Sequence, residues 1–532
     1  MPHAYPLVRD VPALQNSAPF DLLVIGGGIY GAWTAYDAAL RGLKVALVEK
    51  SDWGSGTSSA SSKLIHGGLR YLEHFEFQLV RHALAERRVL TDIAPHLVRP
   101  LRFMVPVWKG ARVGMFQMSA GLTLYDFLAG RDQPVARHKS YSKSKLLRLH
   151  PYLREAGLKG GLSYGDCQED DARMTLAVVA AAQQAGVVVA NRVAATRLLK
   201  DGDRIVGATL HDLLGDTSFD LRAAAVVAAA GPWAQALIGR EAPKVKLVKG
   251  VHLVMPAIPG CSDAFLFTAP QDGRVYFVIP WYGRTLLGTT ESEVSDPKQA
   301  VVTGAEVAYL LEAARAALPQ LGWTEQQVQG RFAGVRTLQA DEEDSLSAVT
   351  REFVVLQPSP GLVLPIGGKY TTSRVDAIEI VDAVMRTLGR GRHPSTTHDH
   401  PLPGAPPARG FDAWLVNAST RLRQHGVDAA AAIQLALRHG QRVERIAELL
   451  VEQPAWSARV VAQAEFIDAE IVLAAREEMC FSLDDLLRRR MPLTLLTPLA
   501  KADLQQIATL FGEQLKWTAD QRQLAVDEMR SR

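Results

Sequence analysis

Residues 21–49 constrain the fold more than any other stretch of the chain. A short apolar run at 21–25 leads into Gly26, Gly28 and Gly31; an alanine-rich stretch to residue 41 follows, Gly42 closes it, and residues 43–48 regain strand character before Glu49. This is the strand–turn–helix–strand order of a βαβ unit. The three glycines differ in what they allow. Gly26 permits the tight turn, Gly28 lets a pyrophosphate approach the backbone, and Gly31 lets helix and strand pack closely. The helix start offers unpaired N–H groups and partial positive charge to phosphates. Glu49, at about the ~20-residue separation expected of such a unit, can accept hydrogen bonds from a ribose diol and would repel a 2′-phosphate. The segment therefore reads as a dinucleotide site, open to either FAD or NAD.

At roughly 100–200 residues per domain, 532 residues allow three or four units. With 48% hydrophobic and 22% charged residues, a collagenous, disulfide-scaffold or disordered chain is excluded. Lys and Arg total 59 against 56 Asp and Glu, a net charge of +3, which supplies no general attraction for nucleic acid. Cys167, Cys261 and Cys480 form no CxxC pair, so no metal site is expected and a reducing compartment fits. Residues 1–19, with prolines at 2, 6, 12 and 19, read as a flexible lead-in rather than a signal peptide. No apolar run approaches the ~20 residues needed to span a bilayer.

Further along, the pattern predicts a helix at 175–185, strands at 187–190 and 223–230, strand-rich sequence over 244–290, and helices at 304–318 and 373–388. Strands at 353–356 and 361–365 precede the last of these helices. Four prolines between residues 401 and 407 mark a linker, after which the pattern is helical. Three further segments could approach a cofactor: the hydroxyl-rich 55–62, the strand end at 228–233, and the glycine turn at 367–372.

Together these segments resemble the FAD-dependent, respiratory glycerol-3-phosphate dehydrogenases. The most specific block is residues 61–72, supported by 21–31, 38–50, 55–59, 170–173, 231–233, 249–252, 277–281, 288–290, 334–336, 350–351, 367–369, 371–372, 477–478 and 484–490. The resemblance implies an α/β architecture: a Rossmann-like FAD-binding domain of the glutathione-reductase type (20–98, 161–243 and 334–392) is interleaved with a β-rich substrate or cap domain (99–160 and 244–333). An all-α C-terminal domain (408–532) follows. It also implies oxidation of sn-glycerol 3-phosphate at C2 to dihydroxyacetone phosphate, with hydride passing to flavin N5 and electrons to a membrane quinone. Alternatives are an oxidase using O2 and a dehydrogenase of another small hydroxy compound. The expected place is cytoplasmic, peripheral on the inner face of the cytoplasmic membrane, with a homodimer possible and no nucleic-acid partner.

Such a substrate requires a cationic clamp and a proton acceptor. Arg70, Tyr71 and Lys369 are the expected phosphate contacts, since cations and forked donors suit a dianion. Arg336 and Arg351 are expected to orient the glycerol oxygens and stabilise developing charge. His252 is the preferred base and His66 its rival. The expected FAD contacts are Gly26, Gly28, Gly31, Glu49, Lys50, Thr57, Ser58, Ser59, Lys63, Leu64, Gly67, Gly231, Gly334, Gly368, Lys369, Tyr370 and Thr371. Tyr30, Glu291 and Thr337 stand where the family more often carries Thr, Asp and Pro. Finally, residues 99–128 mix Arg102, Lys109 and Arg112 with Phe103, Met104, Trp108, Met115, Phe116 and Met118, and a basic cluster follows at 137–148. That composition suits contact with anionic lipid.

Overall fold

The structure, a computed structural model, describes residues 6–239, 243–339, 353–391 and 393–531. Its first sheet is built on parallel pairing. Phe20–Ile25 lies between Val45–Glu49 and Thr217–Ala228, and the order continues to Val188–Asn191 on one side and Leu362–Ile366, then Val354–Ser359, on the other. Leu22, Leu23 and Val24 are fully buried, as a parallel strand covered on both faces requires. The helix Ile29–Leu40 packs between Asp171–Gln184 and Ser373–Thr387. Arg41 ties its end to Asp37 and Asp382.

The second sheet is mostly antiparallel, with the order Ser292–Val294, Val245–Pro256, Arg284–Gly288, Val275–Trp281, Ala264–Thr268, Val98–Trp108, Leu158–Glu169 and Leu64–Ile65. Gly330–Gln339 pairs with Val245–Pro256 over its residues Val245 to Val254. Three expected domain boundaries, 98/99, 160/161 and 333/334, fall inside strands of this sheet. The pairing of Val98 with Glu169 through Trp108 with Leu158 makes one long ribbon that cannot be divided between two bodies. This strand corrects the expected lipid-facing set: Phe103 and Met104, on its opposite faces, are both core residues, 1% and 0% exposed, because the strand is covered on both sides there, whereas the half-exposed Arg102 bonds Asp263.

The C-terminal helices from Phe411 onward are joined to this body by buried charge pairs and by apolar packing. Arg489 and Arg490 both bond Asp52, just past the second strand, and Arg173 bonds Glu478. Burial opposes the Asp52 carboxylate, but Arg490 and Arg489 hold it below the usual range. Phe511, Leu486 and Leu493 share one apolar core with Phe103, Val254 and Phe332 of the second sheet.

Candidate active site

Between the two sheets and the C-terminal helices lies a cavity of about 1150 Å³, with the glycine turn forming part of its lining. Gly26 adopts φ 112°, and a Cβ on Gly31 would sit 1.9 Å from the Gly26 carbonyl oxygen, so the close helix–turn approach excludes any side chain there. The amide of Ile29, at the helix start, donates to Ser58 Oγ (2.9 Å), which pins the hydroxyl-rich segment against the turn. Glu49 accepts from the amides of Gly27 (2.7 Å) and Ser51 (2.8 Å), one on each oxygen. A carboxylate oxygen has two acceptor positions, so each keeps one for a ribose diol. Burial raises the Glu49 carboxyl, and the two amides act in the opposite direction.

The other end of the cavity has a different chemistry. His252 and Arg336 sit on paired strands, with Val248 opposite Arg336, Gly250 opposite Gly334, and His252 opposite Phe332. Directly opposed residues share a face, so the two glycines leave a floor between the imidazole and the guanidinium. His252 stacks on Phe332 and its Nε2 lies 3.0 Å from the Ser62 hydroxyl. Burial, with the charges of Lys63 and Arg336, pushes this histidine down to about 3, so it is neutral at physiological pH. Arg336 Nη1 lies 3.3 Å from Glu291 Oε1, and the Lys369 ammonium sits 3.5 Å over the Tyr71 ring. His66 lines the same end, its amide donating to Thr371 Oγ1 (3.2 Å).

Lys50, Thr57, Ser58, Leu64, Gly231, Gly334, Gly368, Tyr370 and Thr371 also line the cavity. Lys50 stacks over Trp233, and Thr57 donates to the Val335 carbonyl. Four expected cofactor residues, Gly31, Ser59, Lys63 and Gly67, lie behind the wall instead. Lys63 bonds Asp171 and the Ser59 carbonyl, each at 2.7 Å, so its ammonium is a scaffold charge, with Ser59 beside it. The Gly67 amide donates to Tyr125 Oη (2.9 Å). The Arg70 side chain and all of Arg351 fall outside the described residues.

Several lining residues had no sequence signal as site residues. Ser62 belongs to the most specific block, but only the fold shows that it faces His252. Arg489, Trp517, Gln521 and Glu528 reach the cavity from the C-terminal helices, which local pattern cannot place. The glycine cradle, the half-free Glu49 carboxylate and an extended cavity that ends among cations together fit an adenine dinucleotide carrying a redox ring.

Comparison with known proteins agrees. Residues 21–374 match the model of the family described as FAD dependent oxidoreductase, and 395–522 match the C-terminal domain of alpha-glycerophosphate oxidase. A glycerol-3-phosphate dehydrogenase of Synechocystis is 35% identical over 97% of this chain and 96% of its own length. Glycerol-3-phosphate dehydrogenase 2 of Mycobacterium tuberculosis is 37% identical over 94% of this chain and 86% of its own. The solved structure of the glycerol-3-phosphate dehydrogenase from Bacillus halodurans, complexed with FAD, superposes with a TM-score of 0.79 at 28% identity, covering 98% of this chain and 95% of that one. From the glycine cradle through the cation-lined cavity to the helical C-terminal domain, this chain belongs to the family of FAD-dependent glycerol-3-phosphate dehydrogenases.

Proposed function

We propose that the chain oxidises sn-glycerol 3-phosphate at C2 to dihydroxyacetone phosphate and passes the electrons to a membrane quinone. The observation that carries this reading is one cavity in which a neutral buried imidazole and two cationic side chains, Arg336 and Lys369, stand at the end remote from Glu49. Bound FAD supplies a hydride acceptor at N5. Lys369 and Tyr71, with Arg70 by family resemblance, hold the phosphate. Arg336, with Arg351 by family resemblance, orients the glycerol oxygens and stabilises charge developing at C2–O. His252 Nδ1 is shut off from solvent, which leaves the Nε2 edge, beside the Ser62 hydroxyl, as the route for a proton.

Anaerobic addition of sn-glycerol 3-phosphate to the purified holoprotein is expected to bleach the oxidised flavin band, and a short-chain quinone to restore it. A flavin that stays oxidised would exclude this substrate. Peroxide formed in step with substrate loss in air would instead assign oxygen as the acceptor.

Quinone as acceptor requires contact with a bilayer. What supports it is the helix Met115–Ala129, in which Phe116 is 89% and Phe127 80% exposed while only Leu122 and Tyr125 are buried. Exposed Arg112, Arg131, Arg137, Lys139, Lys145 and Arg148 surround it in sequence. No helix among the described residues is long and apolar enough to cross a membrane; the contact we propose is peripheral and, by the family resemblance, on the cytoplasmic face. Replacing Phe116 and Phe127 together by serine is expected to reduce co-sedimentation with anionic vesicles at least tenfold, with flavin content unaltered. Unchanged sedimentation would remove this helix as the anchor.

A further inference from the structure

Tyr30 occupies the second position of the helix Ile29–Leu40 and lines the cavity. Its ring stacks on Phe353 with centroids 5.6 Å apart. Its hydroxyl lies 2.5 Å from Asp376 Oδ2 and 3.2 Å from the Lys369 carbonyl oxygen. The turn is packed onto this hydroxyl: Gly368 has φ 83°, and a Cβ there would meet Tyr30 Oη at 1.8 Å. The Thr372 hydroxyl joins the cluster, donating to Asp376 Oδ2 at 2.8 Å.

We propose that Tyr30 is a positioning residue for Lys369, its hydroxyl fixing the 367–369 turn that carries the lysine into the cavity. The inference rests on Lys369 contacting the substrate phosphate, and it follows from counting hydrogens. Tyr30 and Thr372 each have one to donate, and two acceptors compete for them: the Asp376 carboxylate and the Lys369 carbonyl. With Asp376 ionised, both hydroxyls turn to the carboxylate, because charge-assisted bonds are the stronger. The Lys369 carbonyl then keeps only the Thr372 amide, at 3.2 Å. With Asp376 protonated, the carboxyl donates to Tyr30 Oη and frees the Tyr30 hydrogen for the Lys369 carbonyl. The turn is pinned in the protonated state and looser in the ionised one.

Burial raises the Asp376 carboxyl to about 7, against the opposing hydrogen bonds from Tyr30 and Thr372. The charged groups around it come from four elements. Glu379 and Arg374 share its helix; Glu86 faces it from Phe77–Ile93; Asp37, paired with Arg41, lies further along the helix of Tyr30; Lys369 sits on the turn. Arg374 is engaged by Glu86 through bonds of 2.8 and 2.5 Å, so it does not neutralise Asp376.

The test compares wild type with Tyr30→Phe, Asp376→Asn and Lys369→Ala between pH 6 and 8, following KM and kcat for sn-glycerol 3-phosphate, the flavin absorbance spectrum without substrate, and the dissociation of FAD. In wild type, KM is expected to rise as pH passes about 7. In Tyr30→Phe, KM should already be raised about 3–10-fold at low pH, the factor corresponding to one ordinary hydrogen bond, with kcat and FAD affinity retained. Asp376→Asn, whose amide donates as the protonated acid does, should keep the low KM across the range. The substrate's own phosphate ionisation, near pH 6, is common to all variants and cancels in their ratios. A Tyr30→Phe enzyme with the wild-type KM profile overturns the proposal. So does loss of FAD in parallel with activity, which marks a purely structural role. If Tyr30→Phe does not fold, an Asp376→Asn enzyme with the wild-type pH step overturns it. If Lys369→Ala leaves KM unchanged, the assignment of the substrate site fails instead; if it raises KM while Tyr30→Phe does not, only the role of Tyr30 fails.

Discussion

Replacing Asp52 with alanine is expected to destabilise the protein by about 3 kcal/mol, the lower end of the ~3–5 kcal/mol typical when one partner of a buried ion pair is removed. The reason is the company Asp52 keeps. It is fully buried and accepts from Arg489 at 2.6 Å and from Arg490 at 2.9 Å on each oxygen, so its loss leaves two guanidinium groups without their shared acceptor. Asp485 and Asp484 still face Arg489, and Glu478 still faces Arg490, which is why the lower end applies. The effect should reach the cofactor. Trp53 follows Asp52 in the chain, and its ring lies so close to the dinucleotide turn that a Cβ on Gly27 would meet it at 2.4 Å. Thermal unfolding followed by flavin fluorescence should therefore show earlier release of FAD as well as a lower midpoint. Because the folded-state Asp52 carboxyl is held below its ordinary value, its contribution is complete above the usual carboxylate range and is lost as pH falls through the lowered one. The stability difference between wild type and Asp52→Ala should accordingly shrink in acid. Identical midpoints and identical FAD release at neutral pH would show that the C-terminal domain does not depend on this cluster.

Gly31→Ala is the substitution expected to have the largest effect on cofactor content. The added methyl carbon would stand 1.9 Å from the Gly26 carbonyl oxygen, a backbone atom with no flexible side chain to give way. Either the helix Ile29–Leu40 moves off the strand or the turn loses its form, and both carry the phosphate-binding amides away from the ligand. Purified Gly31→Ala protein is expected to hold at most about a tenth of the wild-type flavin, a loss of roughly 1.4 kcal/mol or more in binding. Gly121→Ala is the control: in its helix a Cβ meets nothing within 4 Å, and flavin content should not change. Equal flavin in Gly31→Ala and wild type would remove the close-approach argument.

Much of the site was legible because some of its parts are local. The glycine turn, Glu49 and the hydroxyls at 57 and 58 lie within 33 positions of one another, and each acts through backbone geometry that a spacing can express. His252 and Arg336 were legible as residue types in family blocks, but their placement on one face depends on the pairing of Val245–Pro256 with Gly330–Gln339. Lys63 shows the limit of such reading. It stands inside the most specific block, yet its ammonium is bound by Asp171, 108 positions away, and does not line the cavity.

By itself, then, the sequence determined the dinucleotide turn, the cofactor family and the succession of mixed α/β and helical parts, because turn geometry and hydrophobic period are properties of neighbouring residues. Only the tertiary structure decided which charges are structural and which face the cavity. Arg489 and Arg490 belong in sequence to a family block that names no partner for them, and the fold buries them on a carboxylate more than 430 positions away. Desolvation makes an unpaired charge so costly that each buried cation must find its partner. Which carboxylate serves is set by how sheet and helices pack.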